Sequence, residues 1–366
     1  MTQEQIVKQA CENILGFITH GSKKHILRPE DEVLILGDHE NLSYLYTQTL
    51  AETIDDWQGN TGKVHVKFLP KERPITDPSQ MDPEITELAK RVPVAIGTYS
   101  NPGTQIRQQE KTTIFGKFVT PITSRSGSTL RLYAVAARTT MSILKMYANS
   151  ELIQKTNVLT KKVQKYLQEH SSEMMFINTP NENECQEPLR FRIPLEKMIK
   201  ADYFEVQDYI WNSPSGEGFF EPKPGTAFGT LTFTDGSYYD LHVPVKGRIE
   251  LTFKDGQITG YKDAAGKDAE VLAYLKKDLD VEANRYPAEM GIGTLTGSSE
   301  IAWEDMLYNE IILEKARGFH FAYGSSRIFG GEHDAPVHVD NGFTSGDVYV
   351  GTQLFIHNGH ILESVL

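Results

Sequence analysis

Five ionisable residues in the second half of the 366-residue chain have types and spacings suited to metal chemistry. His338 and Asp340 lie two apart in Ala-Pro-Val-His-Val-Asp-Asn-Gly, so in an extended segment both side chains point the same way. His320 stands among aromatics in Gly-Phe-His-Phe-Ala-Tyr-Gly, Glu289 in Tyr-Pro-Ala-Glu-Met-Gly-Ile-Gly, and Glu217 in Pro-Ser-Gly-Glu-Gly-Phe-Phe-Glu-Pro. Glycines near both glutamates allow the backbone to approach a ligand closely. Two imidazoles and three carboxylates without a thiolate suit Zn²⁺, Co²⁺, Mn²⁺ or Fe²⁺. Five ligands exceed the need of one four-coordinate zinc. Two ions about 3.5–4 Å apart, sharing a carboxylate, would use them all and would activate water against an amide carbonyl. Each residue also has a plainer role: a core histidine for His320, a strand-surface ion pair for His338 and Asp340, a turn residue for Glu217, a helix cap or exposed charge for Glu289.

The elements that must position these residues change character along the chain. Helical spacing of Ile6, Ala10, Ile14 and Phe17, the apolar run Val33–Leu36, a helix to about Trp57 capped by Asp38 or Asn41, strands at 64–69 and 92–96, and helices near 137–149 and 151–170 give a β-α-β-α rhythm. Residues 180–188 read as a polar surface loop. From about residue 213 short β-branched and aromatic runs take over, at 229–234, 238–243, 248–253 and 258–261. Asp235-Gly236 and Asp255-Gly256 separate successive runs, and Asn358-Gly359 marks a last hairpin. A helix over 266–279 interrupts them, and strands return at 318–323, 337–340 and 348–361. The expected architecture is an α/β N-terminal domain at 1–190, with helices around a mostly parallel sheet. A mostly antiparallel α+β domain at 191–366 carries the candidate ligands.

Composition narrows the function. Lys and Arg number 37 against 49 Asp and Glu, a formal charge of −12 that argues against nucleic-acid binding. No run approaches the ~18 apolar residues of a membrane helix, and the polar N-terminus has no apolar core of signal-peptide length. Cys11 and Cys185 have no Cys-x-x-Cys companion, so any metal is held by His, Asp and Glu. The turn after Val33–Leu36 has a single glycine, which excludes a dinucleotide fingerprint or a P-loop there. A cytoplasmic protein is expected.

At the candidate residues the sequence resembles the aminopeptidase T / aminopeptidase S family of metal-dependent exopeptidases. Gly216-Glu217-Gly218-Phe219-Phe220-Glu221-Pro222 matches the family's Gly-Glu-Val-Phe-Thr-x-Pro, and Ala288–Gly293 its Gly-Glu-(x)-x-x-Gly. Glu314–Gly324 matches Glu-Lys-Ala-x-Gly…His-x-Ala-x-Gly, and His338-Val339-Asp340 the final His-x-Asp. The resemblance implies Glu217, Glu289, His320, His338 and Asp340 as ligands of two divalent ions (Zn, Co or Mn), a homodimer, and a short peptide or small amide as substrate. Glu289 is then also a candidate for the catalytic carboxylate. Arg327 stands at the family's tyrosine position and Tyr323 lies nearby; either is a candidate for stabilising the reaction intermediate. A second branch of the superfamily looks like 2,5-dihydroxypyridine 5,6-dioxygenase, which opens an aromatic ring with mononuclear Fe(II) and has His at the position of Glu289. A metal-free binding protein on the same fold is the third reading. His333, His357 and His360 are expected as loop or hairpin surface residues.

Overall fold

The computed structural model describes residues 1–20, 27–68, 82–98, 132–136, 139–179, 187–195, 199–202, 210–213, 216–241, 243–296, 314–315, 318–327 and 330–366. These form two compact units. The first contains α1 (Gln3–His20), β1 (Val33–Gly37), α2 (Asn41–Trp57), β2 (Val64–Phe68), α3 (Pro83–Arg91), β3 (Val94–Gly97), β4 (Leu132–Ala136) and α4 (Met141–Ala148). Helix α5 (Ser150–Glu169) carries the chain into the second unit, which takes β5 (Met174–Asn178), β6 (Leu189–Arg192) and β7 (Lys200–Asp202). Strand β8 (Ile210–Ser213) returns to the first. The second unit continues with β9 (Glu217–Phe220), β10 (Gly229–Thr234), β11 (Ser237–Tyr239), β12 (Val243–Pro244), β13 (Arg248–Lys254) and β14 (Gln257–Asp263). It ends with α6 (Ala269–Leu279), β15 (Pro287–Gly293), β16 (Phe319–Gly324), β17 (His338–Phe343), β18 (Asp347–Val350), β19 (Gln353–His357) and β20 (His360–Ile361). Cys185 lies outside the described residues, as does most of the 180–188 loop; Cys11 is a buried thiol. Among the described residues no helix is long and apolar enough to cross a membrane.

The first unit is α/β. Its sheet runs β2-β1-β3-β4-β8, with every pair parallel. The run Val33-Leu34-Ile35-Leu36 is buried throughout, as an inner strand of a parallel sheet must be. Helix α3 starts where Asp82 accepts from the Glu84 N–H and Pro83 fills the first turn. Helix α2 is different from expectation: neither Asp38 nor Asn41 caps it. Its N-cap is Glu40, and Asp38 instead accepts from the Glu40 N–H, one step outside the helix.

The second unit is antiparallel α+β. Its sheets are β20-β19-β18-β5-β6, β10-β13-β14 and β12-β11-β17-β16-β15-β9-β7. Asp255 and Gly256 have φ of +52° and +81°, and Asn358 and Gly359 +46° and +74°; both pairs close hairpins, as two left-handed residues in succession should. The turn at Asp235-Gly236 does not. Only Gly236 has positive φ there, and the chain crosses from β10, paired with β13, to β11, paired with β12 and β17. The expected strand 238–243 is likewise split, because Asp240 and Leu241 both adopt left-handed φ between β11 and β12. Asp268 caps α6 through the Val271 N–H, and Val271, Leu275 and Leu279 turn inward. In the core Phe321 meets Phe253 edge-on at 5.6 Å and Phe191 at 6.1 Å.

Candidate metal centre

Four neighbouring strands of the seven-stranded sheet, β17-β16-β15-β9, carry all five predicted ligands. Their registers decide which residues share a face. Gly291 lies opposite both His320 and Phe219, Glu289 opposite Ala322, Ala322 opposite Asp340, Gly324 opposite His338, and Gly293 opposite Glu217. Two-residue alternation therefore places Glu217, Glu289, His320, His338 and Asp340 on one face. Phe220, Met290, Phe321, Tyr323 and Val339 go to the other face and into the apolar core. The positions between the ligands are Gly291, Gly293 and Ala322, and a Cβ on Gly291 would fall on the His320 imidazole. Small residues thus let imidazole and carboxylates lie over bare backbone. A bulge between Pro287 and Glu289 ends the regular β15–β16 pairing at this edge of the group.

Glu289 is the centre of the contacts. The His320 Nε2 lies 3.1 Å from Glu289 Oε1 and 3.5 Å from Glu217 Oε1. The His338 Nε2 lies 3.4 Å from Glu289 Oε2 and 3.0 Å from Asp340 Oδ1. Donor atoms within 4.8 Å of one another form two overlapping groups, Glu217–Glu289–Glu314–His320 and Glu289–His338–Asp340. Only Glu289 belongs to both. Two members are absent from the sequence-derived set. Glu314 joins the first group, and the buried Lys315 ammonium donates to Glu217 Oε2 and, at 3.1 Å, to Glu314 Oε1. Their signal in the sequence is a Glu-Lys pair shortly before the His320 strand, quoted above for its resemblance alone.

The donor chemistry fits a divalent cation. The Ser325 carbonyl can only accept, so the His338 Nδ1–H donates to it at 2.6 Å and leaves Nε2 turned toward Glu289 and Asp340. Burial alone pulls the His338 pKa down. The Asp340 charge and hydrogen bond, then Glu289, outweigh burial and hold His338 well above the usual histidine value. Burial raises the Glu289 carboxyl, but hydrogen bonds from His320 and His338 reverse the sign and leave it lowered. The His338 Nε2 thus shares Glu289 and Asp340 through a positive charge, which a proton or a metal ion can supply. The 3.0–3.5 Å donor separations approach the edge, roughly 3.4 Å, of a tetrahedron with ~2.1 Å metal–ligand bonds. Glu217 Oε1 and His320 Nδ1 are buried without a hydrogen-bond partner. Four carboxylates against one ammonium leave three negative charges for cations or protons to balance.

The structure does not bring Tyr323 to this group. Three residues from His320 on one strand, it faces the opposite side, where its hydroxyl bonds Tyr239 Oη (2.8 Å) and Asp278 Oδ2 (3.2 Å) in the core. Tyr323→Phe is therefore expected to leave metal content and turnover unchanged while costing about 1 kcal/mol in urea unfolding. Arg327 is exposed and 3.7 Å from Asp334. Its loop is tied down by Glu221, a buried carboxylate that accepts from Ser326 Oγ at 2.7 Å. The same loop supplies the Ser325 carbonyl to His338. His333 lies in a loop and is half-buried: its Nε2 is 2.6 Å from the Ala283 carbonyl and its ring packs on Tyr286. It lines a cleft of about 200 Å³ with Glu221, Tyr286 and Pro287. His357 and His360 are exposed.

No family model and no curated protein matches the sequence. Solved structures do match its fold. One is 2,5-dihydroxypyridine dioxygenase from Pseudomonas putida KT2440, with TM-score 0.63 and 15% identity over 99% of this chain and 98% of that one. Another is wild-type AmpT, aminopeptidase T, from Thermus thermophilus, with TM-score 0.62 and 13% identity over 99% of this chain and 100% of that one. At these identities the likeness is one of fold: the chain has an aminopeptidase T-like fold, shared with 2,5-dihydroxypyridine dioxygenase, and a cluster of Glu and His residues able to hold a metal.

Proposed function

We propose that this chain is a metal-dependent hydrolase of the aminopeptidase T type, cleaving the amide bond of a short peptide or small amide. The observation that carries the reading is the sharing of Glu289 between two imidazole-containing donor groups, which suits two neighbouring divalent ions such as Zn, Co or Mn. Glu217, Glu314 and His320 would hold one side, His338 and Asp340 the other, and Glu289 both. Ions held there supply Lewis acidity toward a scissile carbonyl and toward water. The residues do the rest. His338 is oriented by the Ser325 carbonyl, so its ring cannot turn away from Glu289 and Asp340. Side chains of His338 and Asp340 keep 15% and 20% exposure, whereas Glu217 and His320 keep about 1%. Substrate and water therefore reach the group along the His338–Asp340 edge, and the Asp340 carboxylate is the acceptor best placed to take a proton there.

Arg327, on the loop that holds His338, is proposed to meet a substrate carboxylate. Arg327→Ala is expected to raise KM about tenfold with kcat and melting temperature little changed, since its exposed pair with Asp334 contributes little stability. The alternative reading is a ring-opening Fe(II) oxygenase. A facial triad of two imidazoles and one carboxylate would draw His320 and His338 onto Glu289 and leave Glu217, Glu314 and Asp340 unused, whereas two ions would use them.

The test is a panel of aminoacyl-anilides, dipeptides and small amides, assayed with Zn²⁺-, Co²⁺- and Mn²⁺-loaded protein and after chelation. Cleavage that chelation abolishes and metal restores is the expected result. Metal bound with no panel member cleaved would overturn the hydrolase reading.

A further inference from the structure

We propose that Glu221 is a positioning residue of the metal centre. It holds Ser326, and through Ser326 the peptide whose carbonyl sets the His338 ring. The proposal rests on the metal-dependent reading above and adds to it a residue that neither donor group contains.

Glu221 follows β9 directly, so it is carried by the same strand as Glu217. It is buried, and a buried carboxylate needs donors aimed at it. Both of those donors come from the segment ahead of β17, 105 and 111 positions along the chain. Ser326 Oγ donates to Oε1 at 2.7 Å, and the Glu332 N–H donates to Oε2 at 3.3 Å. Ser326 is the hub of that segment. Its Oγ accepts from the His333 N–H, its own N–H donates to the His333 carbonyl, and its carbonyl accepts from the Gly331 N–H, each at 3.0 Å. Gly331 lies so close that a Cβ there would overlap Ser326 Oγ and crowd Glu221 Oε2.

The Ser325 carbonyl and the Ser326 N–H belong to one rigid peptide plane. Whatever fixes Ser326 therefore fixes the direction of the carbonyl that receives the His338 Nδ1–H at 2.6 Å. The Ser325 N–H, bonded to the Val337 carbonyl at 2.7 Å, secures the preceding peptide. His333 has an anchor of its own in the Ala283 carbonyl, so the arm facing Ser326 is held independently. Partners that orient a ligating imidazole typically change metal affinity about 10–100-fold when removed. Glu221 acts one step further out, which places its effect at the lower end.

The experiment titrates metal-stripped full-length protein with Zn²⁺ alone by calorimetry. Imidazole N–H resonances are recorded alongside, that of His338 being identified by its loss in His338→Gln. Glu221→Met removes both acceptor oxygens at similar volume and is expected to weaken Zn²⁺ binding about tenfold and to shift the His338 resonance. Glu221→Gln keeps an acceptor for Ser326 Oγ and should recover most of that loss. Ser326→Ala should match Glu221→Met, and the double variant should be no weaker than the worse single, because the two act as one unit. Should Glu221→Met fail to fold, Ser326→Ala carries the comparison. Asp268→Ala is the control: Asp268 is equally buried, caps α6 in the same unit, and should lower melting without changing Zn²⁺ affinity or the resonance. Lower melting of Ser326→Ala and Glu221→Met with wild-type affinity and an unmoved resonance would overturn the proposal and leave the metal-dependent reading standing. So would an equal loss of affinity in Asp268→Ala. No Zn²⁺ bound by the wild type would overturn both.

Discussion

Alanine at Glu289 is expected to strip metal from both halves of the centre and to lower kcat/KM by on the order of 10³-fold or more. The reason is its position between the two imidazoles. Oε1 faces His320 and Oε2 faces His338, so one substitution removes a ligand from each donor group. Glu217→Ala touches one group only, and should cost one equivalent of metal while the other persists. Glu289→Gln keeps the shape but neither the charge nor the second acceptor oxygen, and should behave like alanine in metal content while melting closer to wild type. Metal analysis per chain across the three variants, with steady-state rates on whichever amide the panel identifies, checks the pattern. Retention of one full equivalent by Glu289→Ala would show that the halves do not share this carboxylate.

Part of this site is legible from the sequence because strand geometry is local. His338 and Asp340 share a face by two-residue alternation alone, and the strand pattern around each is strong. The same rule, applied to His320, puts Tyr323 on the wrong side for chemistry, since they are three positions apart; closeness in sequence is a poor substitute for parity in a strand. What alternation does not give is register. His320 meets Glu289 across 31 residues and Lys315 meets Glu217 across 98, and nothing in either segment specifies the other. Lys315 is the extreme case. A lysine next to a glutamate reads as a solvated charge, and only the buried Glu217 carboxylate brought to it by a distant strand makes it an internal counter-ion.

The fold divides in a similar way. Short apolar runs with β-branched residues announce strands, and Asp255-Gly256 and Asn358-Gly359 announce hairpins because both residues of each pair accept left-handed φ. Asp235-Gly236 has the same letters but a different result, since its flanking strands find better partners elsewhere: β10 on β13, β11 on β17. Partner choice is a tertiary property, decided by which apolar faces must be buried together, and the dipeptide carries no record of it. The return of β8 to the parallel sheet is of the same kind: its neighbour β4 lies more than seventy residues earlier in the chain.

Gly291 is where sequence and site meet most directly, and Gly291→Ala is expected to have the second-largest effect. A glycine two residues after a candidate ligand suggests close approach of a bound molecule to the backbone. The structure shows a different use of the space: the His320 imidazole lies across Gly291, and one added methyl group would overlap its ring atoms. The ring would have to move, and its Nε2 is the atom held 3.1 Å from Glu289 Oε1 and 3.5 Å from Glu217 Oε1. A shift of even 1 Å costs on the order of 10²-fold in a positioned catalytic group, and crowding a packed interior costs about 1–3 kcal/mol. Gly260→Ala is the control. It sits in β14 of the same unit, and its added Cβ meets only Thr252, no closer than 3.8 Å, so no measurable loss of activity is expected. If Gly291→Ala kept wild-type metal affinity while melting lower, the glycine would be serving packing alone; lowered affinity together with lowered melting is the outcome the geometry requires.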